Sequence, residues 1–529
     1  MIGTRFDNRS AAVSAAALAT LGSGIVNLLS AAGRGTPVHS AMLRSSFPLE
    51  FVQLSRLLTL LGVGLLVSAI NVYKRKRRAL EIVATLSVLS IVFHLGRGNI
   101  VETICSIVLL AVLLASRDRF EVRSGAPDWR GAAIVLGAAA AGGGAYYETR
   151  AALLHSGYQA AALGHPLEAT VAAAAIYTTV AAFRPAAYRL QTFPLQRATA
   201  ERLTRNHGRS ALDPFKIWPD KSLFFGPART TFLAYRVSAG MAVVLGDPVG
   251  PEEDIERIVR GFMAECSRND WSLAFYQTLP AFLSTYRRLG FSRLKIGDDA
   301  IVDLDEFSLD CADRKWMRTL VRKLEAAGIG HVHLTAPIPE AILDAMLEVS
   351  DEWLQRPGRR ERQFALGYFD RAYLRNTDVD AAFDADGRML AFVNLLVSDR
   401  RLEATGDLMR RRTAAPNGIM DYVFMKTFLR CREQGMHRFS LGMAPMSGFT
   451  ASESASPEER AVHAFLQQLG VVFSYRGLKA YKAKFATSWE PRFVLYKHVL
   501  DLQRLAFALV KLSEMKPHGL DAGSRFLTQ

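Results

Sequence analysis

The hydrophobic and polar positions divide the chain into two unlike parts that meet at about residue 183. Before that point, long apolar stretches alternate with clusters of charge, at 11–32, 51–73, 79–95, 100–116, 131–147 and 167–183. Each stretch approaches the ~20 residues that an apolar helix needs to cross a bilayer. The pattern therefore predicts an N-terminal α-helical transmembrane bundle of about six spans over residues 1–190.

Lysine and arginine are concentrated between these stretches, at 5–9, 74–78, 117–130 and 184–197. Because such clusters favour the cytoplasmic side of a membrane, six spans with both chain ends inside satisfy all four of them. We therefore predict a multi-pass protein of the bacterial inner (plasma) membrane, with its C-terminal part in the cytoplasm. Topology alone accounts for the cluster at 74–78, although it can also attract anionic head groups.

After residue 184 short apolar runs alternate with longer amphipathic segments, which is typical of an α/β or α+β domain. Strands are predicted at 232–237, 241–245, 273–277, 300–304, 380–385, 389–397, 401–409 and 438–441. Helices are predicted at 252–268, 280–289, 418–433 and 458–469.

The segments at 286–291 and 465–470 both end a helix with Leu-Gly, so we interpret this half as two copies of one fold. The predicted organisation is a linker at 191–212, a first subdomain at 213–335, a second at 336–500 and a C-terminal helix and tail at 501–529.

Net charge indicates which partners the chain can bind, and the cysteine spacing bears on disulfides and metal sites. The net charge of +15 favours anionic partners, nucleic acid or acidic lipid, although residues flanking membrane spans explain as much of it. The four cysteines are scattered without metal-ligand spacing, which argues against a disulfide framework and a zinc site. His331 and His333 have metal-like spacing but no third ligand nearby, so we interpret them as ordinary strand histidines.

The order of elements resembles the GCN5-related N-acetyltransferase (GNAT) fold, in which a strand, a loop and a helix form the acyl-donor site. The predicted fold class is an N-terminal α-helical transmembrane bundle followed by an α/β (α+β) tandem GNAT-like acyltransferase domain. Ordinary members hold coenzyme A pyrophosphate on the backbone N–H groups of a glycine-rich loop. The corresponding segment here, 410–418, is basic with one glycine, which argues against coenzyme A. A tRNA-borne donor, as in the Fem-type peptidyl transferases, is the variation of this fold that fits.

Several ordered motifs resemble the aminoacyl-phosphatidylglycerol synthases (phosphatidylglycerol lysyltransferases), also called the multiple peptide resistance factor family. They are Gly246-Asp-Pro-Val-Gly250, Gly367-Tyr-Phe-Asp370, Asp407-Leu-Met-Arg410, Asn417-Gly-Ile-Met-Asp421, Leu441-Gly-Met-Ala-Pro-Met-Ser447, Tyr475-Arg-Gly-Leu-Lys-Ala-Tyr-Lys-Ala-Lys-Phe485 and Trp489-Glu-Pro-Arg492. The resemblance covers about residues 214–497. One departure is Asp298, where the family usually has Glu, and it could alter which amino acid is accepted.

The resemblance implies transfer of an aminoacyl group, lysyl or alanyl, from aminoacyl-tRNA to the glycerol hydroxyl of phosphatidylglycerol, with no cofactor beyond the tRNA co-substrate. The product carries less negative charge, which would weaken attraction of cationic antimicrobial peptides. Two alternatives remain: a GNAT-type acyltransferase with another donor, and a non-catalytic lipid transporter or regulator. The amino acid, the exact lipid acceptor, the oligomeric state and any flipping of the product stay open.

Such a transesterification needs a proton acceptor, a cation for the developing oxyanion and an anion for the amino acid's ammonium. Asp407 is expected to activate the hydroxyl or hold the ammonium, and Arg410 to contact phosphate or the oxyanion. From spacing alone, the alternative is a structural ion pair between the two. The resemblance adds Glu459 as an amino-acid ligand, and Lys482 and Lys484 as catalytic cations.

Five further residues are predicted to bind substrate: Asn417, Asp421, Arg476, Tyr481 and Arg492. Aromatic and basic side chains interleave near the C-terminal end, which suits the tRNA acceptor end or the lipid phosphate. If that segment is a strand, Lys482 and Lys484 share one face, and the alternative is a solvated edge. Asp421 and Glu459 can each be explained as charges that complement a helix dipole.

Overall fold

The computed structural model describes residues 8–32, 51–125, 176–177, 179–310, 314–398, 403–445 and 475–514. The chain divides into two compact units. One comprises residues 1–187 with 265–271, and the other comprises 188–264 with 272–529. We describe each unit by itself.

The described part of the first unit is helical. Its helices are α1 (Asn8–Ala32), α2 (Phe51–Tyr73), α3 (Arg77–Arg97) and α4 (Ile100–Ala115). Ala11–Ala31 and Arg77–Gly96 are long and apolar enough to cross a membrane, and Leu58–Tyr73 and Ile100–Ala115 are shorter apolar stretches. The first four predicted spans thus coincide with helices. The span predicted at 131–147 and most of that at 167–183 lie outside the described residues.

Small and polar residues hold these helices together. A Cβ added at Gly62 would lie 2.9 Å from the carbonyl oxygen of Gly24, so α1 and α2 approach closely only because both positions are glycine. The buried Asn27 Oδ1 of α1 accepts a hydrogen bond from Ser90 Oγ and lies 3.2 Å from Nε2 of His94, both on α3. Such polar contacts suit an apolar surrounding, where an unpaired polar group is costly.

The second unit is built on one mixed sheet of eleven strands. The strands are β1 (Ser222–Phe225), β2 (Phe232–Ser238), β3 (Met241–Leu245), β4 (Ser272–Thr278), β5 (Ser292–Asp303), β6 (Gly330–Leu334), β7 (Val379–Phe383), β8 (Met389–Ser398), β9 (Glu403–Arg411), β10 (Arg438–Pro445) and β11 (Ser488–Tyr496). The helices are α5 (Pro194–His207), α6 (Glu252–Arg268), α7 (Leu283–Arg288), α8 (Lys315–Ala326), α9 (Glu340–Leu354), α10 (Arg371–Arg375), α11 (Ile419–Glu433), α12 (Tyr475–Ala483) and α13 (Asp501–Glu514).

Apart from β6 at one edge, the strand order is symmetric about its centre. It is β1-β2-β3-β4-β11-β5-β10-β9-β8-β7-β6, so β11-β4-β3-β2-β1 mirrors β5-β10-β9-β8-β7 about the centre. The pairs β3–β4 and β9–β10 are parallel, and every other pair is antiparallel. This confirms the predicted tandem α/β fold. We call β1–β5 the first copy and β7–β11 the second copy.

The two copies exchange their last strands. β5, which ends the first copy, pairs with β10 of the second, and β11, which ends the second copy, pairs with β4 of the first. β5 and β11 then pair with each other along nine positions at the centre of the sheet. Neither copy therefore completes its sheet without a strand from the other.

A hydrophobic helix, α11, packs against the sheet of the second copy. α11 is buried on most sides, and its Phe424 and Phe428 pack with Phe439 of β10 and with Phe485, just beyond α12. This aromatic core fixes the position of β10 and of the segment between β9 and α11. A rigid base of this kind is what a precise site requires.

Candidate active site at the parting of two parallel strands

The parallel strands β9 and β10 stay paired for only three residues. Glu403–Thr405 pairs with Arg438–Ser440, and beyond these positions the pairing of β9 with β10 ends. β10 shifts its register against β5 between Ser440 and Met443, where Gly442 adopts a left-handed φ of 79°. β9 and β10 therefore diverge, and we call the region between β9 beyond Thr405 and the Gly442–Pro445 stretch the cleft. It lies at the end of two paired parallel strands, where open α/β sheets commonly bind ligands.

A β-bulge brings Asp407 and Arg410 to the buried side of β9 together. Val393 of β8 pairs with Met409 and Leu395 pairs with Gly406, so β9 has one residue more than its partner over this stretch. Without a bulge, residues three apart in a strand face opposite sides of the sheet. Both Asp407 and Arg410 are instead buried.

The carboxylate of Asp407 is held by a chain of hydrogen bonds. Tyr373 Oη donates to its Oδ2 over 2.8 Å, and the Gly367 N–H donates to its Oδ1 over 2.9 Å. Asn394 Nδ2 in turn donates to Tyr373 Oη over 2.8 Å. Asn394 Oδ1 accepts the N–H of Leu408 over 2.8 Å, which is freed by the bulge. The Asn394 side chain thus links the backbone of the bulge, through Tyr373, to the carboxylate of Asp407.

Burial sets the acidity of this group. It raises the pKa of Asp407 to about 6, although the hydrogen bonds from Gly367 and Tyr373 and the charge of Arg410 lower it. Gly367 also controls the space, because a Cβ there would lie 1.8 Å from Asp407 Oδ2. The arrangement provides a fixed carboxylate that can accept a proton near neutral pH.

Arg410 is fixed by partners other than Asp407. Its Nη2 contacts both carboxylate oxygens of Glu361, at 2.8 and 2.7 Å, and its Nη1 donates to Ser350 Oγ. Its Cζ lies 5.2 Å from the ring centroid of Trp353. The ion pair of Arg410 is therefore with Glu361, and the alternative drawn from spacing, an ion pair with Asp407, is wrong.

Lys482 reaches the cleft from the β10 side. Its Nζ donates to the carbonyl oxygens of Gly442 and Met443 over 2.8 and 3.0 Å. Burial lowers the pKa of Lys482 to about 8, although the charge of Asp299 raises it. The buried ammonium supplies a positive charge where the strands part.

The expectation that Lys482 and Lys484 lie in one strand is wrong. Residues Tyr475–Ala483 form the helix α12, which contains Lys482, and Lys484 lies in the turn that follows it. Lys482 is buried, whereas Lys484 faces outward and its Nζ lies 3.1 Å from Asp421 Oδ2. The physical reason is the run of lysine, alanine and leucine, which are good helix formers.

Asp421 and Tyr481 form a second polar group with Lys484. Asp421 lies in the first turn of α11 and is buried, and the Lys484 Nζ lies 4.9 Å from the ring centroid of Tyr481. Burial and the Asp421 carboxylate raise the pKa of the Tyr481 hydroxyl. Asp421 thus combines an ion pair with a position that suits the helix dipole.

Arg492 lies inside the sheet on β11. It is 2% exposed, its Nη2 donates to Asp299 Oδ2, and its Nη1 donates to Ser210 Oγ over 3.2 Å. Asp299 Oδ1 also accepts from Ser440 Oγ over 2.9 Å, and its charge acts on Lys482. Arg492 therefore connects to the cleft through Asp299 and does not face open space.

The remaining predicted residues are less defined. Asn417 is exposed in the turn before α11, and Arg476 lies in α12 with its side chain outside the described part. Glu459 and the helix predicted at 458–469 lie outside the described residues. His331 and His333 both contact the buried Asp380 Oδ1, at 3.0 and 3.2 Å.

Sequence reasoning did not single out Tyr373, Asn394, Glu361 and Trp353. One signal was available, because Asn394 interrupts an otherwise apolar strand. Within the described ranges, no group of three or more His, Cys, Asp or Glu residues is arranged to hold a metal ion.

Comparison with known proteins shows which family this chain resembles. Residues 200–496 match the family model "Phosphatidylglycerol lysyltransferase, C-terminal". The phosphatidylglycerol lysyltransferase of Bacillus subtilis (strain 168) is 28% identical over 460 residues, which cover 85% of this chain and 54% of the relative. That of Staphylococcus epidermidis is 28% identical over 295 residues, 56% of this chain and 35% of the relative. The chain spans about half the length, or less, of the curated relatives it matches.

Two solved structures are similar to the second unit. The structure of L-PGS from Bacillus licheniformis is 28% identical, with a TM-score of 0.54, over 60% of this chain and 95% of that chain. The C-terminal domain of a putative lysylphosphatidylglycerol synthetase from Agrobacterium fabrum is 30% identical, with a TM-score of 0.54, over 60% and 96%.

Proposed function

The chain belongs to the phosphatidylglycerol lysyltransferase C-terminal family, and from this premise we propose that it transfers an aminoacyl group, lysyl in the first instance, from aminoacyl-tRNA to the glycerol hydroxyl of phosphatidylglycerol. The observation that carries the proposal is the buried carboxylate of Asp407 at the cleft between β9 and β10. Its pKa of about 6 suits a proton acceptor near neutral pH. The segment after β9 has a single glycine and several arginines, which fits an anionic donor other than coenzyme A.

In the proposed reaction, Asp407 accepts the proton of the lipid's glycerol hydroxyl as its oxygen attacks the ester carbonyl carbon. A new ester bond forms between that oxygen and the aminoacyl group. The ester bond to the terminal ribose of the tRNA breaks, and the ribose oxygen receives the proton from Asp407. Proton transfer by a positioned side chain typically contributes about 10²–10⁴-fold to rate.

The other residues support this step from fixed positions. Lys482 offers its buried ammonium to the negative charge that develops on the carbonyl oxygen. Arg410, bound to Glu361 and Ser350, acts as a positioning residue whose charge lowers the pKa of Asp407. Asp421 and Lys484 form an ion pair at the first turn of α11, and we assign to this pair the binding of polar parts of a substrate.

We also propose that the protein is a multi-pass protein of the bacterial inner membrane with its second unit cytoplasmic. The apolar helices Ala11–Ala31 and Arg77–Gly96 support a membrane location. A lysyl product would make the lipid surface less negative, which would lower its attraction for cationic antimicrobial peptides. Glu459 remains a proposed ligand of the amino acid, and Arg476 a proposed ligand of the tRNA acceptor end or of the lipid phosphate.

The test is reconstitution of the full chain with phosphatidylglycerol vesicles and tRNA charged with labelled lysine or labelled alanine. We expect label to enter a lipid with the mass of aminoacyl-phosphatidylglycerol, and Asp407→Ala to prevent it. Transfer with coenzyme A thioesters and none with tRNA would instead support a GNAT-type acyltransferase with another donor. If no donor yields a modified lipid from folded protein, the proposal fails.

A further inference from the structure

Five arginines converge where β9 ends beside the end of α9, and two of them are neutralised. Arg410 pairs with Glu361, as described above. Arg412 Nη2 lies 2.7 Å from Glu348, and its Nη1 lies 3.3 Å from Glu352. These two guanidinium groups, both buried, therefore have carboxylate partners and serve the internal structure.

The other three are Arg356, Arg359 and Arg411. No acidic side chain of the described residues lies within ion-pair distance of any of them. Arg356 Nε donates to Thr413 Oγ1 over 3.2 Å, while its buried Nη2 has no hydrogen-bond partner within the described ranges. Arg359 is exposed, and its Cζ lies 5.1 Å from the ring centroid of Trp353. We call these three residues the arginine cluster.

The three charges are close enough to act on one another. Burial lowers the pKa of Arg411, and the charges of Arg356 and Arg359 lower it further. Like charges held together in this way repel, so the folded protein carries a cost that an anion would relieve. The cluster thus has the electrostatic character of an anion-binding site.

We propose that the arginine cluster binds phosphodiester groups of the single-stranded 3′ end of an RNA. The inference rests on the proposed function, in which tRNA carries the donor, and it names residues that hold that donor. Three guanidinium groups spread over two elements suit a polyanion better than a single phosphate. The exposed Arg359 guanidinium over Trp353 offers a surface on which a base can stack.

One member of the arginine cluster lies on the same strand as the proposed proton acceptor, Asp407. Arg411 lies four residues after Asp407 at the same strand end, and its charge also acts on Tyr481 beside the cleft. An RNA strand bound through its phosphates at Arg356, Arg359 and Arg411 is therefore held, through Arg411, on the strand that carries Asp407.

The test compares two triple variants of the full chain that remove the same charge. One is Arg356→Gln, Arg359→Gln, Arg411→Gln. The control is Arg257→Gln, Arg260→Gln, Arg288→Gln in the first copy, where each arginine is exposed and paired with Asp254 or Glu256. Binding of lysine tRNA, and of the same tRNA without its single-stranded 3′ end, is measured from low to moderate salt.

We expect the cluster variant to lose tenfold or more in affinity for intact tRNA, and the control to change by less than about twofold. The logarithmic salt dependence should become shallower by about 2, since each single-strand phosphate contact contributes ~0.7. Both variants should bind the truncated tRNA equally. The single change Arg359→Gln, at an exposed position, should show about a threefold loss and guards against misfolding of the triple variant.

Equal binding of intact tRNA by the two folded triple variants would overturn the inference. So would retained tRNA binding with loss of binding to phosphatidylglycerol vesicles, which would assign the cluster to the lipid phosphate. If the unaltered chain makes no aminoacyl lipid while the cluster variant alone loses tRNA, the proposed function fails and the RNA site stands.

Discussion

Both copies of the fold contain a buried Gly-Asp pair, but the neighbouring strands are arranged differently around the two pairs. In the first copy, Gly246-Asp247 directly follows β3, and in the second, Gly406-Asp407 lies within β9, just beyond its parallel pairing with β10. The parallel pair β3–β4 holds together over five residues, and the Gly246 N–H continues it by donating to the Tyr276 carbonyl over 2.7 Å. The pair β9–β10 parts after three residues.

The two carboxylates have equivalent partners. Asp247 accepts from Tyr286 Oη over 2.9 Å and from the Leu279 N–H over 2.8 Å. Asp407 accepts from a tyrosine hydroxyl and a backbone N–H at nearly the same distances. Burial raises the pKa of both carboxyl groups.

The surroundings of Asp247 and Asp407 differ, and this difference determines which carboxylate a substrate can approach. Beside Asp247, the buried Lys216 donates to the Asp247 carbonyl oxygen and lies 2.6 Å from Asp213 Oδ1, so its ammonium group leaves a cavity with room for only about one water molecule. Beside Asp407 the strands diverge around Gly442. A buried Gly-Asp pair is therefore a structural element of this fold, and the parting of the strands is what turns one of the two into a candidate site.

The largest expected effect separates the two aspartates. Asp407→Asn should slow aminoacyl transfer by about 10²–10⁴-fold, because the variant cannot accept the proton. Asp247→Asn should keep transfer within about threefold. Single-turnover transfer of labelled lysine measures both, with circular dichroism to show that each variant is folded. Equal losses in the two variants would mean that both copies contribute in the same way and that the comparison is mistaken.

Next in size is the change Gly367→Ala. Its Cβ would lie 1.8 Å from Asp407 Oδ2, so the carboxylate must move and lose the Gly367 N–H bond. We expect a loss of about 10–100-fold in transfer rate, since small displacements of a reacting group are costly. Gly330→Ala is the matched control, because a Cβ there meets nothing within 4 Å. Normal activity of Gly367→Ala would show that the position of Asp407 is not critical.

A smaller effect is expected at Lys482. Lys482→Met should slow transfer by about tenfold, because the cleft loses its buried positive charge. Lys479→Met removes an exposed lysine of the same helix and should change the rate by less than about twofold. Since burial lowers the pKa of Lys482 to about 8, transfer by the intact protein should fall above that pH. A pH–rate profile whose basic limb is unchanged in Lys482→Met would count against this role.

The finest distinction is between two tyrosines. The hydroxyl of Tyr373 lowers the pKa of Asp407, so Tyr373→Phe should raise that pKa above about 6 and leave less of the carboxylate ionised at neutral pH. The acidic limb of the pH–rate profile should move to higher pH, with a loss of a few-fold at pH 7.

Tyr286→Phe removes the equivalent hydrogen bond to Asp247. Each of the two variants should lower the free energy of unfolding by ~1 kcal/mol. The pH–rate profile of Tyr286→Phe should stay in place. Profiles that shift alike in both variants would indicate an indirect effect of stability, which thermal unfolding would reveal.

Local pattern predicted much of the fold. β3 and α6 have the predicted bounds, and the strands around Asp407 lie within a few residues of prediction. Hydrophobic periodicity is a local property, so it suffices wherever neighbours in sequence pack together. β11 was not predicted, because its Trp-Glu-Pro-Arg segment contains a proline and its partners come from the first copy, about two hundred residues earlier.

The site was predicted in part. Asp407 and Lys482 were predicted through the family resemblance, and the structure holds Asp407 on β9 and bonds Lys482 to β10, while their catalytic roles stay predictions. The bulge that turns Asp407 inward depends on the register between β8 and β9, which no local pattern specifies. The partner of Arg410, Glu361, is far away in sequence and was not foreseen for the same reason.

The exchange of β5 and β11 has a consequence for biosynthesis. The strand β4, Ser272–Thr278, leaves the ribosome about two hundred residues before Ser488–Tyr496, the strand that covers its outer edge. At typical elongation rates of ~5–20 residues per second, that edge stays open for roughly 10–40 seconds. An open edge invites pairing with other chains, so the nascent protein has to be shielded or kept dilute during that interval. A shortened transcript that ends before β11 would yield a polypeptide with that edge permanently open.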